Sequence, residues 1–131
     1  MNAADYLRQA AQQMLAYANE LDPVDINIEG SGSPGAALIA QERIRQISVE
    51  GYTPEHDVLH ADNKALAWGA FCYLERAAQD KIPQDDPSVA HLWPFNRSQW
   101  KPKPTRIRNL VIAAALVAAE IDRLWREGER P

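Results

Sequence analysis

Thr105-Arg-Ile-Arg-Asn-Leu110-Val-Ile-Ala-Ala-Ala115-Leu-Val-Ala-Ala-Glu120-Ile-Asp-Arg-Leu124 decides the fold. Threonine is a good helix cap, and no glycine or proline interrupts the stretch that follows. Leu110, Val111, Ile112, Leu116, Val117, Ile121 and Leu124 fall on nearly every side of a helix spanning about 105–127. A helix apolar on most faces sits at the centre of a bundle or at a subunit interface. Its longest apolar run, Leu110 to Ala119, is ten residues, well short of the roughly eighteen that a membrane span needs.

Working back toward the N-terminus, the chain predicts further helices. Leu66, Ala67, Ala70, Phe71 and Leu74 form an apolar stripe, with Trp68 and Cys72 at its edges, on a helix starting at Asp62 or Asn63 and reaching Ala78. Thr53-Pro54-Glu55 reads as cap, first helical residue and an acid at the positive end of the dipole. Ala36 to Glu50 predicts another helix, with Leu38, Ile39, Ile44, Ile47 and Val49 as its apolar positions and Gly51 as its stop. Asn2 caps a first helix over 3–21, which ends at Asp22-Pro23. Val24 to Glu29 alternates apolar and acidic residues, which predicts a short β element. The expected fold is mainly α: a single-domain bundle of four or five helices, with an N-terminal helix and loop over 1–34 and a core over 35–131.

Asp80 to Pro104 has a different character, holding five of the nine prolines together with Trp93, Phe95 and Trp100. A disordered linker has no use for three large aromatic side chains, so this long connector is expected to pack on the helices.

The 131 residues carry 14 Lys and Arg against 18 Asp and Glu, a net charge of −4. The distribution is uneven: residues 1–96 hold six basic and fourteen acidic side chains, and residues 97–131 hold eight basic and four acidic. Arg97, Lys101, Lys103, Arg106 and Arg108 follow one another with no acid between them. That run attracts anions, while the acidic remainder argues against DNA, whose affinity comes from widespread phosphate neutralisation. A small anionic ligand, a phosphorylated small molecule or an acidic partner surface fits that run, the competing reading being that these cations balance the acidic half of the same chain. The single cysteine, Cys72, cannot staple the chain, and the opening MNAADYLRQAAQQ lacks the apolar run of a signal peptide. The expected setting is a reducing cytoplasm, with no membrane.

Two groups of residues carry candidate chemistry. The first is His56-Asp57-Val-Leu-His60, whose i, i+4 spacing puts both imidazoles on one helical face. Zincin zinc ligands share that spacing, but Asp57 stands where zincins have glutamate and no clear third ligand follows. Phosphohydrolases of the HD type need a further histidine upstream, and His56 is the first in the chain. The other side of that reading is a local Asp57–His60 pair on a solvated surface. The second group is Trp93-Pro94-Phe95 with Trp100-Lys101-Pro102, then Arg106 and Arg108 at a helix start. Aromatic faces beside cations and free helix N–H groups can stack a base and hold its phosphates. Tryptophans that pin the connector to the core are the competing reading.

Other motifs are incomplete. Gly30-Ser-Gly-Ser-Pro-Gly35 has the glycines of a phosphate cradle but lacks the Lys-Ser/Thr pair and the preceding strand. Nucleotide pyrophosphohydrolases of the MazG type are small and all-helical and cluster carboxylates around Mg²⁺. Glu42, Glu50, Glu55, Asp57, Glu75, Glu120 and Asp122 do not reproduce that spacing. Cys72, in an apolar stretch, reads as a core residue rather than a nucleophile.

The string Gln41 to Gln46, Glu50 to Asp57 with His60, Trp93-Pro-Phe95, Trp100-Lys-Pro102 and Arg106 through Leu124 resembles a widespread group of small phage and prophage proteins, over roughly residues 38–125. The resemblance implies an accessory protein acting in a bacterial cytoplasm, with the Thoeris anti-defence nucleotide sponges as a functional analogy. The expected function is binding of a nucleotide-like molecule without turnover, by a homo-oligomer with no cofactor. Expected contacts are His56, Asp57, His60, Trp93, Phe95, Trp100, Lys101, Arg106 and Arg108. The alternatives are a divergent MazG-like enzyme using Mg²⁺ and a factor that docks an acidic host protein.

Overall fold

The computed structural model describes residues 2–9, 33–59 and 64–131. The described chain is mainly helical: α1 (residues 3–9), α2 (Pro34–Ser48), α3 (Pro54–Leu59), α4 (Ala65–Ala78), a 3-10 turn at Arg97–Gln99 and α5 (Arg106–Arg126). The β element expected over 24–29, the rest of the first helix and the 30–32 part of the glycine-rich turn lie outside the described residues. Among the described residues no helix is long and apolar enough to cross a membrane. Contacts divide the chain into two compact units, Met1–His56 and Asp57–Pro131.

In the first unit each described helix start carries an expected kind of cap. The Asp5 N–H donates to Asn2 Oδ1 at 2.9 Å, and the Ala36 N–H donates to Ser33 Oγ at 3.2 Å. Ser33 and Pro34 are cap and first helical residue, so α2 begins two residues before the expected Ala36. It ends at Ser48, two residues short of Glu50. Gly51 then takes φ +77°, a left-handed turn that glycine adopts without strain. The Tyr52 N–H reaches back across it to the Gln46 carbonyl at 2.9 Å. At Thr53 the expected cap is present, with the His56 N–H donating to Oγ1 at 3.3 Å.

The buried side of α2 differs from the expected one. Glu42, Arg43 and Gln46 are buried, while Ile44 and Val49 are exposed. Pairing makes this tolerable for Glu42: Arg45 donates Nη2 to its Oε1 at 2.7 Å and Nε to its Oε2 at 2.9 Å. The same guanidinium reaches Glu50 Oε1 at 2.9 Å. The Glu42 hydrogen bond first, then Glu50, holds Arg45 firmly in its charged form, against the smaller opposing effect of burial.

The second unit is built on α4 and α5, which run antiparallel. Arg106, at the start of α5, donates Nε to the carbonyl of Ala77, near the end of α4, at 2.9 Å. Small residues line the contact. Ala65, Ala70 and Ala77 on α4 and Ala113, Ala115 and Ala119 on α5 are buried, together with Leu66, Tyr73, Val111, Ile112 and Leu116. Alanine at an interface lets two helices approach closely. The larger residues turn outward, which corrects the expected stripes. Trp68, Phe71 and Leu74 of α4, and Leu110, Val117 and Ile121 of α5, are exposed. The α4 cap also differs from expectation. It is Lys64, in the left-handed conformation at φ +56° and with no side-chain cap bond, whereas Asp62 and Asn63 lie outside the described residues.

Gly69 lies where α4, α5 and the connector meet. A Cβ built there would stand 2.9 Å from Phe95 Cε2 and 3.6 Å from Leu116 Cδ1. Replacing glycine with alanine in a helix gains about 1 kcal/mol of intrinsic propensity, but overpacking costs about 1–3 kcal/mol. Gly69→Ala is therefore expected to destabilise the protein by about 1 kcal/mol in urea unfolding. In a Phe95→Ala background the same change is expected to stabilise it, because the opposing ring is gone.

Candidate functional site

The connector from 79 to 105 is held by side chains of the two helices that flank it. Arg76, buried on the inner face of α4, donates to three connector carbonyls: Gln84 at 3.3 Å, Asp86 at 2.6 Å and Ser88 at 3.2 Å. Its guanidinium lies 5.4 Å from the centroid of the Trp100 ring. Asn109, fully buried in the first turn of α5, accepts the Lys103 N–H at 2.7 Å. Its amide nitrogen faces the Lys103 carbonyl at 3.0 Å and Gln84 Oε1 at 3.1 Å. Gln84 in turn donates to the carbonyls of Arg76 and Gln79, both at 3.0 Å. Asp86 Oδ1 accepts the Ser88 N–H at 2.7 Å, and the hydrogen bonds from Ser88 hold the Asp86 carboxyl below its ordinary range.

The aromatic residues stack among themselves inside this frame. Trp100 is 6% exposed and donates Nε1 to the Ser88 carbonyl at 2.8 Å. Ring centroids lie at 4.8 Å for Tyr73–Trp100, 4.9 Å for Trp93–Trp100 and 5.3 Å for Trp93–Phe95. The surroundings of the Trp100 ring are therefore taken by Tyr73, Trp93 and Arg76. Trp93 and Phe95 are half-buried and keep part of their surface open. The Trp93 indole N–H is bonded to the Asn96 carbonyl at 2.9 Å.

The cations follow one another along the chain from 97 into the first turn of α5. Lys101, Arg106 and Arg108 are exposed and Lys103 is half-buried. The Lys101 backbone N–H donates to the Tyr73 hydroxyl at 3.2 Å, which ties the base of that side chain to α4. Thr105 Oγ1 accepts the Arg108 N–H at 3.3 Å, the expected cap of α5. Among the described residues no carboxylate forms an ion pair with Arg97, Lys101, Lys103 or Arg106.

The histidine group is divided. His56 is half-buried and stacks on Tyr52, with centroids 4.9 Å apart. His60 lies outside the described residues. Asp57 is fully buried, and its Oδ2 lies 4.0 Å from Arg126 Nη2, at the far end of α5. A helix rises 1.5 Å per residue, so about 30 Å separates the Cα atoms of Arg106 and Arg126. Within the second unit Asp57 and the cation run are thus at opposite ends of α5, and the structure does not bring them into one pocket.

The same half of α5 carries a half-buried acid, Glu120. Glu120 takes both Nε and Nη2 of Arg123 on its Oε1, the former at 2.7 Å, and its other oxygen is covered and has no hydrogen-bond partner among the described residues. Arg123 is itself buried and reaches Glu127 at 2.7 Å. Burial opposes its charge, but Glu120 and Glu127 together outweigh that and raise its pKa. Among the described residues no three His, Cys, Asp or Glu side chains converge as a metal site.

Cys72 is 1% exposed, and burial, aided by the charge of Glu75, pushes its thiol up to about 11. At pH 8 the thiol is neutral and covered, and the thiolate is the nucleophile. The native protein is expected to resist iodoacetamide at that pH and to be alkylated fully in denaturant, as read by mass spectrometry.

Sequence reasoning missed Arg76, Gln84 and Asn109, which organise the connector. The signal for two of them was a single polar residue within the inward side of an apolar helix: Arg76 between Tyr73 and Ala77, and Asn109 one turn before Ile112. Comparison with known proteins gives no match to a family model, to a curated protein or to a solved structure.

Proposed function

We propose that the chain binds a phosphorylated, nucleotide-like small molecule without turnover, at the α5 start. The carrying observation is the cation run around that helix start, which no described carboxylate neutralises at Arg97, Lys101, Lys103 or Arg106, following a connector that leaves part of Trp93 and Phe95 open. Lys101, Arg106 and Arg108 would hold phosphate, and the positive end of a 21-residue helix adds to their field. Trp93 and Phe95 would take the base, with Trp100 behind them as support. In the phage setting that the resemblance implies, such a binder would sequester a nucleotide immune signal in the host cytoplasm.

The test is retention of linear and cyclic nucleotides by the purified protein, with and without Mg²⁺. The protein is then filtered and denatured, and both fractions are analysed by HPLC. An intact nucleotide released on denaturation is the expected result. Arg106→Ala with Arg108→Ala is expected to weaken retention at least tenfold while leaving the circular dichroism spectrum unchanged. Equal retention by this variant overturns the site.

A second reading, a MazG-like Mg²⁺-dependent pyrophosphohydrolase, is favoured by the buried Asp57 and the half-buried Glu120, each with an arginine partner. Buried, charge-paired acids concentrate at functional sites as well as in structural ion pairs. In the same experiment it predicts conversion to monophosphate and pyrophosphate only with Mg²⁺, and loss of that conversion in Asp57→Asn.

A further inference from the structure

The outward face of α5 carries an apolar repeat that the second unit leaves open. Ile107, Leu110, Ala114, Val117, Ile121 and Leu124 are spaced alternately three and four residues apart, which is the seam of a coiled coil. Ile107 is 57% exposed, Val117 46% and Ile121 55%, and Trp125 beside the seam is 52% exposed. The strip runs the length of the helix, about 30 Å, and no charged side chain interrupts it. Monomers rarely leave a contiguous apolar strip of that extent uncovered.

We propose that a second copy of this chain covers this face, with the two α5 helices antiparallel about a two-fold axis between Ala114 and Val117. Two features select that occupant and that direction. The first is register. Running antiparallel, the seam pairs Ile107 with Leu124, Leu110 with Ile121 and Ala114 with Val117, and every pair occurs twice, as an isologous interface requires. Large residues meet at both ends and small ones at the axis, where alanine allows close approach.

The second feature is charge. Flanking the seam on one side are Arg106, Ala113, Glu120 and Glu127. The antiparallel register sets Arg106 of each copy against Glu127 of the other, at both ends of the interface. Glu127 is half-exposed on its own chain, so its carboxylate has room for a second cation. A parallel pair would place like ends together and oppose the two helix dipoles unfavourably. Antiparallel pairing also brings Trp125 of the second copy beside Pro104, at the edge of the cation run.

Sedimentation equilibrium over a range of concentrations tests the pairing. The expected mass is twice the chain's 14.7 kDa. Val117→Glu sets two carboxylates at the axis on an exposed position, and is expected to weaken association at least a hundredfold with the helical spectrum retained. Arg106→Glu is expected to weaken it about tenfold, and Arg106→Glu with Glu127→Arg to restore it. Direction is read by oxidising Ile107→Cys mixed with Leu124→Cys, Cys72 being buried: a mixed disulfide is expected, with no disulfide dimer from Ile107→Cys alone. A wild-type mass of 14.7 kDa at every concentration, or association unchanged in Val117→Glu, overturns the proposal. A dimer cross-linked through Ile107→Cys alone overturns the antiparallel direction. Nucleotide retention by a monomeric protein would leave the proposed function standing while this interface failed.

Discussion

Arg76→Ala is expected to lower the unfolding free energy by about 3 kcal/mol, the largest loss from any single truncation in the second unit. The guanidinium is buried and donates to three carbonyls that have no helix or sheet ladder to receive them. Removing it takes the guanidinium donor from the Asp86 carbonyl and leaves the Gln84 and Ser88 carbonyls to Asn109 and Trp100 alone, and an unmade bond in a desolvated place costs more than a made one contributes. It also withdraws the cation from Trp100. Arg76→Lys separates charge from shape. An ammonium cannot serve three carbonyls in the fork geometry of a guanidinium, so about half of the loss, 1–2 kcal/mol, is expected to persist. Urea unfolding followed by tryptophan fluorescence gives both numbers, because Trp93 and Trp100 report on the connector directly. A loss in Arg76→Ala below about 1 kcal/mol, the value of one ordinary hydrogen bond, would show that the connector is held elsewhere.

The second large effect is expected at Asn109, through pH. Asn109→Asp keeps the shape but replaces the amide donor with an oxygen that faces the Lys103 carbonyl and Gln84 Oε1. An ionised carboxylate there is buried and surrounded by acceptors, so its folded-state pKa rises above the unfolded value of about 3.9. The folded state then binds more protons than the unfolded state over the interval between the two values. Stability relative to the wild type falls as pH rises through that interval. Above it the full penalty applies, expected at about 3 kcal/mol. Below about pH 4 the protonated carboxyl regains one donor, and most of the loss is expected to disappear. Denaturation midpoints of both proteins at pH 4 and pH 7 measure this. A difference that does not change with pH would mean that the group stays solvated.

Signals that act within a few residues were legible in the sequence. Asn2, Thr53 and Thr105 cap their helices as read, and the connector packs on α4 and α5 as its three aromatic residues implied. Ser33-Pro34 was an equally local signal that the glycines around it obscured. What the sequence did not reveal was which side of a helix faces inward when apolar residues occur on all sides. In α4 the inner side is the one with alanines, Gly69 and Tyr73, because contact with α5 rewards closeness over bulk. Periodicity weights Phe71 and Leu74 by hydrophobicity alone, and both point outward. The candidate site was legible as a list of residues but not as an arrangement. Trp100 and Lys101 are neighbours in the chain, yet one is buried and the other exposed. Asp57 and Arg106, which the sequence offers to one ligand, are held apart by the length of α5, a separation that only the packed structure supplies.

Arg76, Gln84 and Asn109 grip the connector mostly through main-chain carbonyls, which every amino acid possesses. Substitutions at Asp85, Pro87, Ala90 or Leu92 leave those handholds in place. The connector can therefore diversify quickly under selection, or be rewritten by an engineer grafting a new recognition sequence, while three side chains keep its path.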